Sequence, residues 1–204
     1  MKHVLVAMAA STLLACGGTA WAKVTAPAAP KSVGAVEASS GRIFRGDGGK
    51  TLQPFSVSRP STMYWSANGG VFQAFPSGAQ THGTVNSSAA KGWTYLPSGR
   101  YLLQINAIGS WVIQVVPGIV FPQHLGGGWV GYRGNGGMEL PPFRAPRSEQ
   151  LYWQANGGIF QIFSDDYTGV SVNSQGRRGT TYMSRGVQQL QINALEAWQI
   201  AWRP

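Results

Sequence analysis

The sequence predicts an all-β protein made of two tandem homologous β-sandwich modules, each of about seven to eight short antiparallel strands, packed together. Three observations predict it. The 204 residues include 28 Gly and 12 Pro, a composition that favours short strands joined by turns over long helices. Apolar and polar residues alternate with period two in several stretches, as strands with one buried face require. Two segments also match residue for residue at a separation of 88 positions, then 87 after one deletion.

The repeat is dense. Phe44, Arg45, Gly46, Asp47, Gly48 and Gly49 are answered by Tyr132, Arg133, Gly134, Asn135, Gly136 and Gly137, and Tyr64 and Trp65 by Tyr152 and Trp153. Ala67, Asn68, Gly69, Gly70, Phe72, Gln73 and Phe75 return as Ala155, Asn156, Gly157, Gly158, Phe160, Gln161 and Phe163. Leu103, Gln104, Ile105, Asn106, Ala107 and Trp111 return as Leu190, Gln191, Ile192, Asn193, Ala194 and Trp198. Modules are therefore expected at 41–118 and 129–204.

Along the chain, residues 1–22 read as a signal peptide: Lys2 and His3, an apolar run over 4–15, then small residues before Lys23. Leu13, Leu14, Ala15 and Cys16 also resemble the lipobox of bacterial lipoproteins, which would leave Cys16 acylated and the protein membrane-anchored. Both processings predict an exported protein, whether periplasmic, outer-membrane-associated or extracellular. Residues 23–40, rich in Ala, Pro, Val and Ser, read as a tether. No later stretch is long and apolar enough to span a bilayer as a helix. Cys16 is the one cysteine, so no disulfide is available and packing must supply the stability.

Strands are expected near Ile43, at 52–57, 64–67, 70–75, 84–86, 93–96, 101–107 and 111–115, with equivalents in the second copy. The Asn68-Gly69 and Asn156-Gly157 pairs suggest tight hairpin turns. The alternation of Leu103, Ile105 and Ala107 followed by Trp111, Ile113 and Val115 suggests that each module closes in a hairpin. On the outward face of that hairpin Leu102, Val112 and Val116 correspond to Gln189, Gln199 and Arg203. An apolar patch is seldom left to water, so Leu102, Val112 and Val116 form a candidate interface, for the second module or for a partner chain. The segment 117–128, with its Gly126-Gly127-Gly128 run, marks the boundary between modules.

Chemistry is thinly represented. Outside the leader 15 of the 16 basic residues remain, against 7 acidic ones. That excess favours an anionic partner, although the charges are scattered singly and form no basic tract. The acidic residues are Glu37, Asp47, Glu139, Glu149, Asp165, Asp166 and Glu196, most of them placed in expected turns or in the tether. Asp165 and Asp166 are the one adjacent pair and support only a remote hydrolase reading. His82 and His124 have no counterparts in the other copy and no metal-ligand spacing, so they read as loop histidines. No nucleophile elbow or phosphate loop is present. No catalytic residue, metal or cofactor is expected.

Binding is the better-represented chemistry. Trp65, Trp111, Trp153 and Trp198 occur in both copies on inward faces and read as core. The unshared aromatics Trp93, Tyr101, Trp129 and Tyr167 are candidate ligand platforms, because sugar rings and bases stack on such faces. Arg177, Arg178 and Arg185 read as a local basic group in the second module. Gln104, Asn106, Gln191 and Asn193 are shared polar residues on an outward face, read either as cross-strand hydrogen bonds or as a ligand site occurring twice.

The order of a glycine-rich start, a Phe strand, Tyr-Trp, an Asn-Gly-Gly turn and a closing Leu-x-Ile-x-Ala with Trp resembles small β-sandwich modules of bacterial secreted and envelope proteins. The resemblance covers both repeats and implies a non-catalytic accessory or carbohydrate-binding-like unit. The expected function is thus a binding or assembly module at the cell envelope, with an envelope glycan, a polyanion or another envelope protein as partner and nucleic acid less favoured. The alternative is a subunit of a surface or secretion assembly docking through Leu102, Val112 and Val116.

Overall fold

The computed structural model describes residues 41–77, 82–164 and 170–204. The expected leader, the tether, Cys16, Asp165, Asp166 and Tyr167 lie outside the described residues.

The first half contributes ten strands: β1 (Arg42–Asp47), β2 (Lys50–Thr51), β3 (Phe55–Val57), β4 (Ser61–Ala67), β5 (Phe72–Pro76), β6 (Val85–Ser87), β7 (Lys91–Leu96), β8 (Gly99–Tyr101), β9 (Leu103–Ala107) and β10 (Ser110–Pro117). They pair antiparallel as sheet I, in the order β1-β10-β4-β7, and sheet II, in the order β2-β9-β5-β6, with β3 paired to β8. The β3–β8 ribbon continues the β2–β9 ladder, because Leu52 N–H still donates to Leu103 O at 2.9 Å across the break.

The second half contains β11 (Gln123–Gly126), β12 (Trp129–Asn135), β13 (Met138–Glu139), β14 (Phe143–Ala145), β15 (Glu149–Ala155), β16 (Phe160–Ser164), β17 (Val172–Ser174), β18 (Arg178–Met183), β19 (Gly186–Gln188), β20 (Leu190–Ala194) and β21 (Ala197–Trp202). From β12 onward its order is that of the first half: sheet III is β11-β12-β21-β15-β18, sheet IV is β13-β20-β16-β17, and β14 pairs with β19. The sequence duplication is thus a duplication of strand pairing. The expected boundary segment is partly structured, since β11 hairpins onto β12 through Gly126, Gly127 and Gly128, all at positive φ.

Each half buries the residues that alternate inward. In the first, Met63, Trp65, Trp111 and Ile113 of sheet I join Phe72, Ala74, Leu103 and Ile105 of sheet II in one apolar cluster. Trp65 stacks on Phe72 at 4.7 Å, and Trp153 stacks on Phe160 at 5.0 Å in the second. The indoles of Trp111 and Trp198 donate to Gly48 O and Gly136 O, which satisfies a buried polar group twice in the same way. The shared tryptophans are core, as their inward positions imply.

The expected hairpins are not hairpins. β9 lies in sheet II and β10 in sheet I, and β4 and β5 divide in the same way, so Ile108-Gly109 and Asn68-Gly69-Gly70 carry the chain across the core between sheets. Period-two alternation cannot distinguish these cases, because two strands facing each other across a core bury alternate residues just as two neighbours do. The proposed Leu102, Val112 and Val116 patch is accordingly divided. Val112 and Val116 lie on the outer side of sheet I, whereas Leu102 precedes β9 on the side of sheet II, and all three are half-buried.

The halves meet elsewhere, along strand edges. Asn86 in β6 forms an antiparallel bridge with Gly137, just before β13. Gly137 N–H donates to Asn86 O at 2.6 Å and Asn86 N–H to Gly137 O at 3.4 Å. Ser88 N–H and Oγ both donate to Leu195 O, at 3.3 and 2.8 Å. Glu139 N–H donates to Thr94 Oγ1 at 3.0 Å, which ties β13 to β7. Trp93, the first-half residue buried in the second half's apolar cluster, has its ring 6.2 Å from that of Tyr132.

Gly136 belongs to this seam. Its φ is +72°, and a Cβ there would collide with the Ser87 side chain. Its repeat counterpart Gly48 has φ +62° but nothing nearer than 4.0 Å. Alanine at either position incurs the left-handed backbone cost of about 1–2 kcal/mol. Gly136→Ala is expected to lose more stability than Gly48→Ala in urea denaturation, by the extra cost of the Ser87 clash; equal losses would show that the seam is loose.

Candidate functional site

Residues opposed in an antiparallel ladder share a face, so the registers define the outer surface of sheet II. Its inward residues are Phe72, Ala74, Val85, Leu103, Ile105 and Ala107, all in the core. Its outward residues include Gln73, Phe75, Asn86, Gln104 and Asn106. Gln73 stands opposite both Asn106 and Asn86, and Phe75 opposite Gln104.

Three of these amides form a hydrogen-bonded ladder. Asn106 Nδ2 donates to Gln73 Oε1 at 2.7 Å, and Gln73 Nε2 donates to Asn86 Oδ1 at 3.0 Å. Sheet IV builds the same ladder: Asn193 Nδ2 donates to Gln161 Oε1 at 2.6 Å and Gln161 Nε2 to Asn173 Oδ1 at 3.1 Å. Phe163 stands opposite Gln191, as Phe75 stands opposite Gln104. The two phenyl rings remain 40% and 44% exposed, at equivalent positions of the two halves.

The seam aligns the two ladders. Asn86 pairs with Gly137, and continuing the β13–β20 register one step past Met138 opposite Ile192 sets Gly137 opposite Asn193. Asn106, Gln73, Asn86, Gly137, Asn193, Gln161 and Asn173 therefore stand in one row across both halves. No side chain in that row is charged.

Beside the row lies Glu139, on the outward side of β13 opposite Gln191 yet only 6% exposed. Its Oε1 is 2.6 Å from His82 Nδ1 and accepts from Gln189 Nε2 at 2.7 Å, while Gly83 N–H approaches Oε2 at 3.4 Å. Burial pushes the carboxyl above its usual 4.5, with the His82 charge and the three hydrogen bonds opposing the rise. Glu139 in turn helps burial to raise the Tyr95 and Tyr101 hydroxyls. His82, expected as a loop histidine, and Glu139, one of the acidic residues expected mostly in turns or the tether, thus form a linked pair across the seam. They lie far apart in sequence in different repeats, and neither has a titratable counterpart that could have signalled the pairing.

Of the aromatic candidates, Trp93 and Tyr101 are core. Trp93 is 9% exposed at the seam, and Tyr101 is fully buried, stacked on Phe55 at 5.6 Å, with its hydroxyl donating to Pro97 O. Trp93 lacks a counterpart because it serves a junction that the chain makes once, and the place of Tyr101 is taken in the second half by the buried Gln188, which donates to Ser184 O as Tyr101 donates to Pro97 O. Trp129 stays near the surface, beside Arg147, Glu149, Gln150, Tyr152 and Arg203 around a shallow depression of about 380 Å³, with the Arg203 guanidinium 4.5 Å from its ring centre. Arg177, Arg178 and Arg185 do not form one group. The first two stand at one end of β18 and Arg185 beyond the other, with the strand's length of about 17 Å between them. Gln104, Asn106, Gln191 and Asn193 are gathered on one face, as expected of outward polar residues, and Asn106 and Asn193 carry the cross-strand bonds. Phe75 and Phe163 were missed as partners of these amides, although their recurrence two residues after Gln73 and Gln161 is visible in the sequence.

Among the described residues no group of three or more His, Cys, Asp or Glu converges as a metal site would require, and no helix is long and apolar enough to cross a membrane. No protein-family model matches the chain, and no curated protein does. Among solved structures, AerE from Microcystis aeruginosa is similar over 78% of this chain and 83% of its own, at 8% identity and a TM-score of 0.26. A cupin 2 conserved barrel domain protein from Leptotrichia buccalis is similar over 82% and 89%, at 11% identity and a TM-score of 0.26. At that score neither likeness bears on the fold or the chemistry.

A raised carboxyl holds its proton in the folded state to higher pH than in the unfolded chain. The stability this contributes is complete below the unfolded value near 4.5 and is lost as pH rises through the raised folded value. The melting temperature of the protein minus that of Glu139→Gln should therefore fall as pH increases from 4.5. Calorimetry across that window checks it, and parallel curves would remove Glu139 as the cause.

Proposed function

We propose that the protein is an exported, non-catalytic binding protein of two tandem β-sandwiches, and that it captures its ligand on the common outer face of sheets II and IV. The sandwich reading is supported by strand order. With β2–β3 and β8–β9, and in the second half β13–β14 and β19–β20, each counted as one interrupted strand, and with β11 set aside as an addition to sheet III, each half reduces to eight strands in two four-stranded sheets, the order of a jelly roll. Each interior is filled by stacked Trp and Phe rings, so binding is assigned to the surface rather than to a cavity between the sheets.

One observation carries the binding reading: the same Asn-Gln-Asn ladder with its exposed Phe is built in both halves and brought into line by the seam. Export rests on residues 1–22, and the alternatives of release after Ala22 or anchoring at Cys16 both leave this face on the folded part of the chain.

The test is capture of the protein by purified peptidoglycan, lipopolysaccharide, DNA and envelope protein at low and high salt. Phe75→Ala and Phe163→Ala should each weaken capture by about 1 kcal/mol, roughly fivefold. Tyr182→Ala, which removes a ring 62% exposed on sheet III, should leave it unchanged. Capture that follows Tyr182 and ignores both phenylalanines would move the binding surface to the opposite side.

A further inference from the structure

We infer that the ligand is a linear, neutral, β-linked polysaccharide, and that a single chain lies along the whole amide row, held by both halves at once. The inference rests on the reading that this outer face binds the ligand, and it adds the ligand's chemistry, direction and minimum length.

The ladder's own bonds leave most of its hydrogen-bonding capacity unspent. Each primary amide offers two N–H donors and a carbonyl acceptor. In the first half the internal bonds use one donor each of Asn106 and Gln73 and an acceptor site each of Gln73 and Asn86. The whole NH₂ group of Asn86, the carbonyl oxygen of Asn106 and one further N–H of Asn106 and of Gln73 remain. Asn193, Gln161 and Asn173 have the same remainder. The internal bonds fix the rotamers, so the free donors and acceptors are already oriented and cost little entropy to engage. Mixed donors and acceptors suit a ligand whose groups also do both, which is the chemistry of sugar hydroxyls.

Charge argues the same way. A polyanion needs Lys or Arg along its path. No Lys or Arg stands in the row itself: Arg45 and Lys91 are outward on sheet I and Arg133 and Arg178 outward on sheet III, while Lys50 lies on the edge strand β2 and Arg100 and Arg144 on the ribbons that continue sheets II and IV. Among the described residues the carboxylate beside the row, Glu139, is buried and held by His82 and Gln189.

The row has the dimensions of a sugar chain. Seven strands at ~4.8 Å per step give a row of about 29 Å, the length of about six pyranose units in an extended chain. The step from strand to strand is close to the length of one such unit, so successive sugars meet successive strands. Phe75 and Phe163 lie on the same side of the row and four strands apart, about 19 Å, where each can take the apolar face of a pyranose. Gly137, in the middle, leaves the row without a side chain at the point where the halves join. A row that runs from strand to strand suits an extended polymer, and β-1,4-linked chains are more extended than α-linked ones.

The experiment is isothermal titration of the mature chain with xylo-, cello- and N-acetylchito-oligosaccharides of increasing length. One of these series should bind with one chain per protein, the hexamer about 100-fold more tightly than the dimer, because the second half's contacts become intramolecular once the first half is engaged. Asn106→Ala and Asn193→Ala should each reduce hexamer affinity, while leaving near-ultraviolet circular dichroism unchanged. Two chains bound per protein with no dependence on length would overturn the single track but not the binding face. Phe75-dependent capture of a polyanion or a protein, with no oligosaccharide bound, would overturn the ligand class and leave the face as the binding surface. If no ligand of any class is captured through Phe75 and Phe163, both the inference and the reading it rests on fail.

Discussion

The antiparallel contact between Asn86 and Gly137 is the constraint on which the rest of the structure depends. An unpaired strand edge is a row of open donors and acceptors, and each half of this chain has such edges at equivalent places. The protein uses one pair of them against each other, β6 against the start of β13, and closes the seam with two backbone hydrogen bonds. That contact sets the register in which sheets II and IV meet, and a slip of one residue would turn every outward side chain of one sheet inward. The features around the seam fit this register: Gly136 gives way to Ser87, Thr94 accepts from Glu139 N–H, and Glu139 is held by His82 from the other half.

The same contact joins two small surfaces into one large one. Either half alone presents three amides and a phenylalanine, a modest contact. Joined in register, they give a row of six amides flanked by two aromatic rings, long enough for a polymer. The filled interiors are consistent with this division of labour. A core of stacked Trp and Phe provides rigidity without a disulfide, and rigid strands keep the amides in line. Arg45, Lys91, Arg133 and Arg178 lie on the other side, on sheets I and III.

Much of this architecture is legible in the sequence because it is periodic. The duplication, the strands and the buried tryptophans are all read from spacing, and the alternation around Leu103, Ile105 and Ala107 identifies the inward residues correctly. Connectivity is not periodic in the same sense. The pattern that suggested a hairpin between β9 and β10 belongs equally to two strands on opposite walls of a core, and only the pairing partners, which lie far away in sequence, decide between them. The candidate patch at Leu102, Val112 and Val116 fails for that reason.

The site itself is half legible. Gln104, Asn106, Gln191 and Asn193 are recognisable as outward polar residues that occur in both copies, but the alignment of Asn106 and Asn193 into one row depends on the seam, which is made once and leaves no repeated signal. Residues particular to one copy are hardest to read: Trp93, without a counterpart, looks like a ligand platform and proves to be the wedge between halves, while His82 and Glu139 show their pairing only when the halves are docked.

The central claim, that six amides on two halves act as one surface, is tested most directly by following the side-chain NH₂ resonances of Asn106, Gln73, Asn86, Asn193, Gln161 and Asn173 during titration with a long neutral oligosaccharide. The account predicts that all six shift together along one saturation curve. Shifts confined to one half, or separate curves for the two halves, would contradict it.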